Sequence, residues 1–345
     1  MKPKRGTRPA TGADEMPSEP HARSEIALVD ATRPFAKENR VRSWAYLLST
    51  TGLLALTTAG ALVAHAIIVR GACAVVSGLA IVRMFIIYHD FMHGALLRKS
   101  PIARAILYTY ALLAMTPPRT WRETHNYHHA HTAKIVGSHV GSYAMVTPVI
   151  WAKMAPRQRL LYKATRHPLT ILCGYFTIFM FGMCVSPLVR SWRKNWDSAV
   201  SLMLNLSLTA ALIHYAGFAT FVFAYGLPLA IATALGGYLF YAQHNFPGMH
   251  VQPRESWSYT RAALESSSYL KMGGLLRWFT GNIGYHHVHH LNSQIPFYRL
   301  PEAMAAIPEL QHPITTSLSA RDIAACFRLK LWDPAAGKMI GYPGD

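Results

Sequence analysis

The 345-residue sequence predicts an all-α polytopic membrane protein: four transmembrane helices arranged as two hairpins, interfacial helices beside them, and a cytosolic helical cap. Three observations carry that prediction. Hydrophobic residues make up 51% of the chain against 14% charged, with a mean hydropathy of +0.16, which is unlike an ordinary soluble domain. Long charge-free runs alternate with basic segments, as in multi-pass membrane proteins. Cys73, Cys173, Cys184 and Cys326 are too few and too scattered for a disulfide framework, and no Cys-x-x-Cys pair could hold zinc or an iron–sulfur cluster. A net charge of +18 suits nucleic acid or an anionic bilayer, and the hydropathy decides for the bilayer and against nucleic acid.

Residues 1–40 are rich in Pro, Arg, Glu and small residues, without an apolar stretch resembling a signal peptide, and are expected to form a disordered basic cytosolic tail. Ala45–Val69 is 25 residues without charge, enough to cross a hydrocarbon core of ~30 Å, so a span is predicted over about 45–69. Gly71 allows a tight return into a second span over about 72–88, interrupted only by Arg83, whose long side chain is expected to snorkel to water. The apolar stretch 102–116 is too short to cross and is expected to be interfacial or re-entrant. Ala199–Gln243 carries no charge over 45 residues, which allows spans over 198–216 and 218–242 joined near Gly217. The 169–189 segment is also uncharged, but the basic tail, the loop to His167 with 11 Lys/Arg and the chain after Gln243 with 9 share one side only if the crossings are even in number. It is therefore expected to be re-entrant or interfacial. Residues 41–345 then form one membrane domain, with a cytosolic cap built from 89–167 and 244–345.

Most of the 18 histidines fall into three short clusters: His89 and His93; His125, His128 and His129, followed by His131; and His286, His287, His289 and His290. Helical positions i, i+3 and i+4 share a face, so the members of each cluster, apart from His131 and His287, can point at a common ion. Neutral imidazole is a good ligand for iron, copper, nickel and zinc, and eight such ligands exceed what one ion uses, so two metal ions are expected. Structural zinc would bring cysteine, and none lies near a cluster. Apart from His244, the other histidines, His21, His65, His139, His167, His214, His250 and His312, read as ordinary polar or interfacial residues. A transporter passing ions through its spans would need histidines inside them, and only His65 and His214 fit that poorly.

With these residues in view, the chain resembles the integral-membrane fatty acid desaturases, and within them the delta-12/omega-6 acyl desaturase branch. The three clusters match the H-x(3,4)-H, H-x(2,3)-H-H and [HQ]-x(2,3)-H-H boxes of that family. Trp278-Phe279-Thr280-Gly281-Asn282-Ile283-Gly284-Tyr285 before the third box, and Leu291-Asn292 and Ile295-Pro296 after it, are similar to the corresponding family segment. Tyr241-Ala242-Gln243-His244 is similar to the family context of a further ligand histidine. The chain departs from the branch at Asn245-Phe246-Pro247-Gly248-Met249, and at Asp90-Phe91-Met92, where a Cys-Gly pair is common. The form Asp90-x-Met92-His93-Gly94 is also reminiscent of membrane carotenoid ketolases and hydroxylases.

The resemblance implies a non-haem di-iron enzyme that uses dioxygen and two electrons to place a cis double bond in a fatty acyl chain carried as acyl-lipid, acyl-CoA or acyl-ACP. It implies nine ligands, His89, His93, His125, His128, His129, His244, His286, His289 and His290, with Asp90, Glu123 and Asn282 as candidate partners for their outer N–H groups. No haem or flavin signature is visible, so electrons are expected from an external donor, a ferredoxin or a b-type cytochrome, at a site on the cytoplasmic face, of the inner membrane if the host is bacterial. The alternative left open is a di-iron hydroxylase or ketolase acting on a carotenoid, sterol or alkane.

Overall fold

The computed structural model describes residues 23–135, 140 and 142–344. Among the described residues four helices are long and apolar enough to cross a membrane: α1 (Arg40–Val63), α2 (Ile67–His93), and, later in the chain, Trp196–Ala216 and Phe218–Gln243. The first two make one hairpin and the last two another. The first turn comes earlier than Gly71: α1 stops at Val63, Ala64 and Ala66 are extended, and Gly71 lies inside α2. Hydropathy could not locate this turn, because Ala64-His65-Ala66 is as free of charge as the helices it joins. Arg70 instead ties the two hairpins together, its guanidinium donating to the Ala61 carbonyl and to Thr220 Oγ1 at 3.0 and 2.8 Å. The second turn is Gly217, whose φ of 84° is a conformation that favours glycine.

Between the hairpins come α3 (Pro101–Leu113), α4 (Pro118–Ala130) and α5 (Pro156–Thr165). Proline at the first position and Ser100 capping the Ala103 N–H start α3, and its 13 residues are too few to cross a bilayer. The 169–189 segment is broken into a short α-helix, Pro168–Leu172, an 11-residue π-helix, Tyr175–Val185, and Ser186–Arg190. The two later spans follow as α6 (Trp196–Ala216) and α7 (Phe218–Gln243). α2 is the central helix, packed on α1 on one side and on α7 on the other.

Beyond α7 the cap contains α8 (Gly274–Phe279) and α9 (His286–Leu291), with two short strand pairs, Tyr269–Lys271 on Thr315–Ser317 and Leu331–Asp333 on Lys338–Ile340. Of the tail expected to be disordered, residues 1–22 lie outside the described residues, but 23–40 are structured. Glu25–Thr32 is a helix capped by Ser24, Leu28 is buried, Thr32 accepts a hydrogen bond from Asn292, and Arg299 donates to the carbonyls of Pro34 and Lys37. Composition signals disorder only when no apolar residue finds a partner, and here Leu28 does.

Arg83 is a second departure. It does not snorkel to water but is 2% exposed, with its guanidinium 3.9 Å from the Trp278 ring centre and 5.2 Å from that of Tyr46. Those rings come from residues far away in sequence, so hydropathy around Arg83 could not report them.

Candidate metal centre

The three histidine clusters meet at one end of the four-helix bundle, and the structure sorts them into two groups. His89 and His93 from α2, His125 and His129 from α4, and His289 from α9 offer ligand nitrogens that all lie within 4.8 Å of one another; so do His128, His244, His286 and His290. The i, i+4 pairs stay together, His125 with His129 and His286 with His290, while His128 and His289 cross to the opposite group. Positions i and i+3 diverge by about 60° around a helix and i and i+4 by about 40°, so two closely packed helices can each serve both groups. The expectation that each box faces a single site therefore holds for His89 and His93 and is corrected for the second and third boxes.

Within the groups the Nε2 atoms run in close series. His89–His125, His125–His129 and His129–His289 are 3.0, 3.1 and 3.2 Å apart. His128–His244, His244–His286 and His286–His290 are 3.1, 2.9 and 3.1 Å apart. A neutral imidazole nitrogen carries one proton or one lone pair, never both, so a nitrogen such as that of His125 cannot satisfy two neighbours at once by hydrogen bonding. Ligands at right angles around an ion bound at about 2.1 Å would lie about 3.0 Å apart, close to the spacing observed. The donor set therefore suits a metal ion in each group.

The protonation states agree. Burial, reinforced by neighbouring imidazoles, holds His125, His128, His129, His286, His289 and His290 well below the ordinary histidine range, and burial brings His244 down to about 4 against an opposing hydrogen bond to Ser266. At neutral pH these rings are uncharged and free to ligate. Three are oriented from behind: His89 Nδ1 by Asp90 Oδ1 at 2.9 Å, His244 Nδ1 by the Ser266 carbonyl at 3.1 Å, and His290 Nδ1 by Thr132 Oγ1 at 3.2 Å. An Nδ1–H donated to Asp90 or to the Ser266 carbonyl leaves the Nε2 lone pair facing the group.

Of the three outer partners expected from the sequence, only Asp90 is in place. Glu123 is half-exposed and pairs with Lys194 at 2.7 Å, because its position on α4 points away from the histidine face. Asn282 donates to the Phe297 carbonyl at 3.0 Å and, among the described residues, makes no hydrogen bond to an imidazole. Ser266 and Thr132 carry no signal in the sequence: one acts through its backbone carbonyl, which no residue type announces, and the other is 158 residues from His290 along the chain. His131 stacks on Tyr127, and His287 faces the Leu310 carbonyl at 3.2 Å, both outside the groups. His139 lies outside the described residues.

A cavity of about 500 Å³ adjoins the centre. His89, His125 and His286 form part of its wall, so it reaches both groups. Its remaining wall is apolar for the most part: Ile81, Phe85 and Ile86 of α2, Ile178 and Phe181 of the π-helix, and Leu239 and Phe240 of α7. Trp121 stands where cavity and centre meet, also lining the cavity, with its ring stacked on His125 at 4.3 Å and edge-on to His89 at 5.6 Å. The volume and lining are those of a small-molecule site with few polar groups.

Comparison with known proteins points the same way. The family model described as fatty acid desaturase matches residues 66–317. A fatty acid desaturase of Bacillus subtilis is 29% identical over 261 residues, 75% of this chain and 74% of its own. A Synechocystis sp. sn-1 oleoyl-lipid 12-desaturase is 23% identical, with 83% and 82% covered, and a Synechocystis sp. sn-1 acyl-lipid omega-3 desaturase (ferredoxin) is 25% identical, with 65% and 63% covered.

Proposed function

The chain belongs to the fatty acid desaturase family, and from that premise we propose that it is an oxygen-dependent acyl-lipid desaturase with two irons held by His89, His93, His125, His129 and His289 in one group and His128, His244, His286 and His290 in the other. The observation that carries this reading is the contact of one apolar cavity with both histidine groups. Such a cavity suits an acyl chain, and a methylene of a chain bound there would lie beside the imidazoles. When bound, the irons would supply the activation of dioxygen that removes two hydrogens from adjacent methylenes, with two electrons from an external ferredoxin or b-type cytochrome. The acyl-lipid carrier is supported by the names of the Synechocystis relatives, and the ferredoxin by one of them. A cytoplasmic position for the centre is supported by the basic segments that flank the spans.

The protein's own groups divide the work. The nine neutral imidazoles supply ligand lone pairs without charge. Asp90 fixes the ring of His89. Trp121 and Phe85 wall the cavity against water where it meets the imidazoles. The reading is tested by expressing the protein in a host with a suitable donor and profiling fatty acid methyl esters alongside iron analysis. New cis double bonds and about two irons per chain are expected, whereas full activity in iron-free protein, or only hydroxylated or keto products, would overturn it.

Asp90 yields a separate prediction. Its Oδ1 faces His89 Nδ1 and its Oδ2 accepts from the Phe297 N–H at 2.6 Å. Asp90→Asn keeps the shape but replaces one acceptor by a donor, so one of the two bonds is lost. Metal affinity is expected to fall by about 10–100-fold, measured by chelator competition, with the protein still inserted in the membrane.

A further inference from the structure

We infer that Arg83, a residue outside both histidine groups, is the positioning residue that sets α9 against α2 and so makes the first metal site without making the second; this rests on the two-iron reading above. Arg83 is buried in the middle of a membrane-spanning helix, and among the described residues no carboxylate pairs with it. A charge in such a place is costly and calls for a reason. Its Nε donates to Thr50 Oγ1 at 3.2 Å and its NH1 to the Trp278 carbonyl, and the guanidinium lies 3.9, 5.2 and 5.6 Å from the ring centres of Trp278, Tyr46 and Phe297. Arginine suits this site because its plane stacks on aromatic rings while its edge donates hydrogen bonds.

What Arg83 holds is the approach to α9. The Trp278 carbonyl belongs to the last turn of α8, where it also accepts from the Gly281 N–H at 3.3 Å, and a cation beside a helix C-terminus is favourable. Immediately after it come Gly281 and Asn282, both left-handed at φ 52° and 54°, and the chain then enters α9 at His286. α9 has six residues, too few to hold a position by its own helical stability, so its flanks place it. On the α2 side those flanks are fixed by Arg83 to Trp278 and Phe297, by Asp90 to the Phe297 N–H, and by Gly281 pressed on Ile86, where a β-carbon would come within 2.7 Å.

The two groups depend on this clamp unequally. The first takes His89 and His93 from α2 and His289 from α9, so it exists only when those helices are in register. The second takes nothing from α2. Its α9 ligands are tied to the α7 end instead, directly by Gln243 Nε2 on the Ile283 carbonyl at 2.7 Å, and through the 268–270 segment, whose Ser268 N–H donates to the Gln243 carbonyl at 3.1 Å and whose Leu270 N–H donates to the Gly284 carbonyl at 2.8 Å. Loss of Arg83 therefore loosens one site and spares the other.

The experiment is iron analysis of the full-length protein in detergent, before and after timed exposure to a chelator, for wild type, Arg83→Met, Arg83→Lys, His244→Ala and the double variant Arg83→Met/His244→Ala. Arg83→Met is expected to retain about one iron of two, the remaining iron leaving as slowly as the slower one of wild type. Arg83→Lys, which can donate to the Trp278 carbonyl but cannot stack as a plane, should keep both irons and release one of them several-fold faster. His244→Ala should retain the complementary iron, and the double variant none. Wild-type content and release rates in both Arg83 variants would overturn the inference, as would loss of both irons together, or a double variant that still holds one. If Arg83→Met does not accumulate, Arg83→Lys decides alone, a wild-type release rate counting against. Wild type without two irons would instead overturn the underlying metal reading, and the inference with it.

Discussion

His128→Ala is expected to abolish formation of unsaturated product and to reduce iron from about two to about one per chain, while the protein still inserts and the first group remains loaded. His128 is the only ligand that α4 gives to the second group, and its Nε2 lies 3.1 Å from that of His244. Without it three imidazoles remain, the ligand count of an open zinc site rather than of one that retains iron against competing metals. Both groups border the same cavity, so on the proposed two-iron reading a half-loaded centre would not support the reaction. The control is His131→Ala, three residues further along. His131 stacks on Tyr127 at 3.9 Å and bonds its carbonyl, facing away from both groups, so product and iron should remain at wild-type levels. Fatty acid profiles and iron content of the two variants, measured on membranes with matched protein levels, check the pair. Turnover in His128→Ala at the wild-type rate would remove the second group from the reaction.

That contrast also marks how far the sequence could be read. The spans follow from runs without charge, and the histidines that gather into the two groups follow from their helical spacing, because both are local properties of the chain. The distribution of ligands is not local. His125, His128 and His129 look like one unit along α4, yet His128 turns to the second group because α9 lies beside α4 and presents His286 and His290 there. Asp90 was legible since it sits next to the ring it orients, whereas Ser266 and Thr132 reach His244 and His290 from 22 and 158 residues away. Arg83 departs from the snorkelling expectation for the same reason: its partners Tyr46, Trp278 and Phe297 adjoin it only in the folded protein. Nor does charge patterning mark Ala64–Ala66 as a turn, since the break there lies in the backbone and not in the polarity.

Gly236→Phe should cut kcat/KM for long acyl chains by about 100-fold and leave iron content unchanged. Gly236 lies on α7, lines the cavity, and has no atom within 4 Å of where a β-carbon would stand, so a side chain there fills cavity space and not protein. It precedes His244 by eight residues, about 12 Å along a helix, far enough from the imidazoles to leave the ligands alone. A phenyl group there excludes about three or four methylenes, and at about 0.8 kcal/mol each the lost burial is about 3 kcal/mol, which is about 100-fold. Removing a helical glycine is itself favourable, so folding should not suffer. The neighbouring position gives the opposite result: at Gly237 a β-carbon would lie 3.0 Å from Ile178 Cδ1 and 3.1 Å from the Ile171 carbonyl, so Gly237→Phe should force α7 away from the π-helix and lower thermal stability. Turnover of substrates of graded chain length, iron content and melting temperature measured on both variants separate a blocked cavity from a displaced helix. If Gly236→Phe handles long chains as wild type does, the acyl chain lies elsewhere.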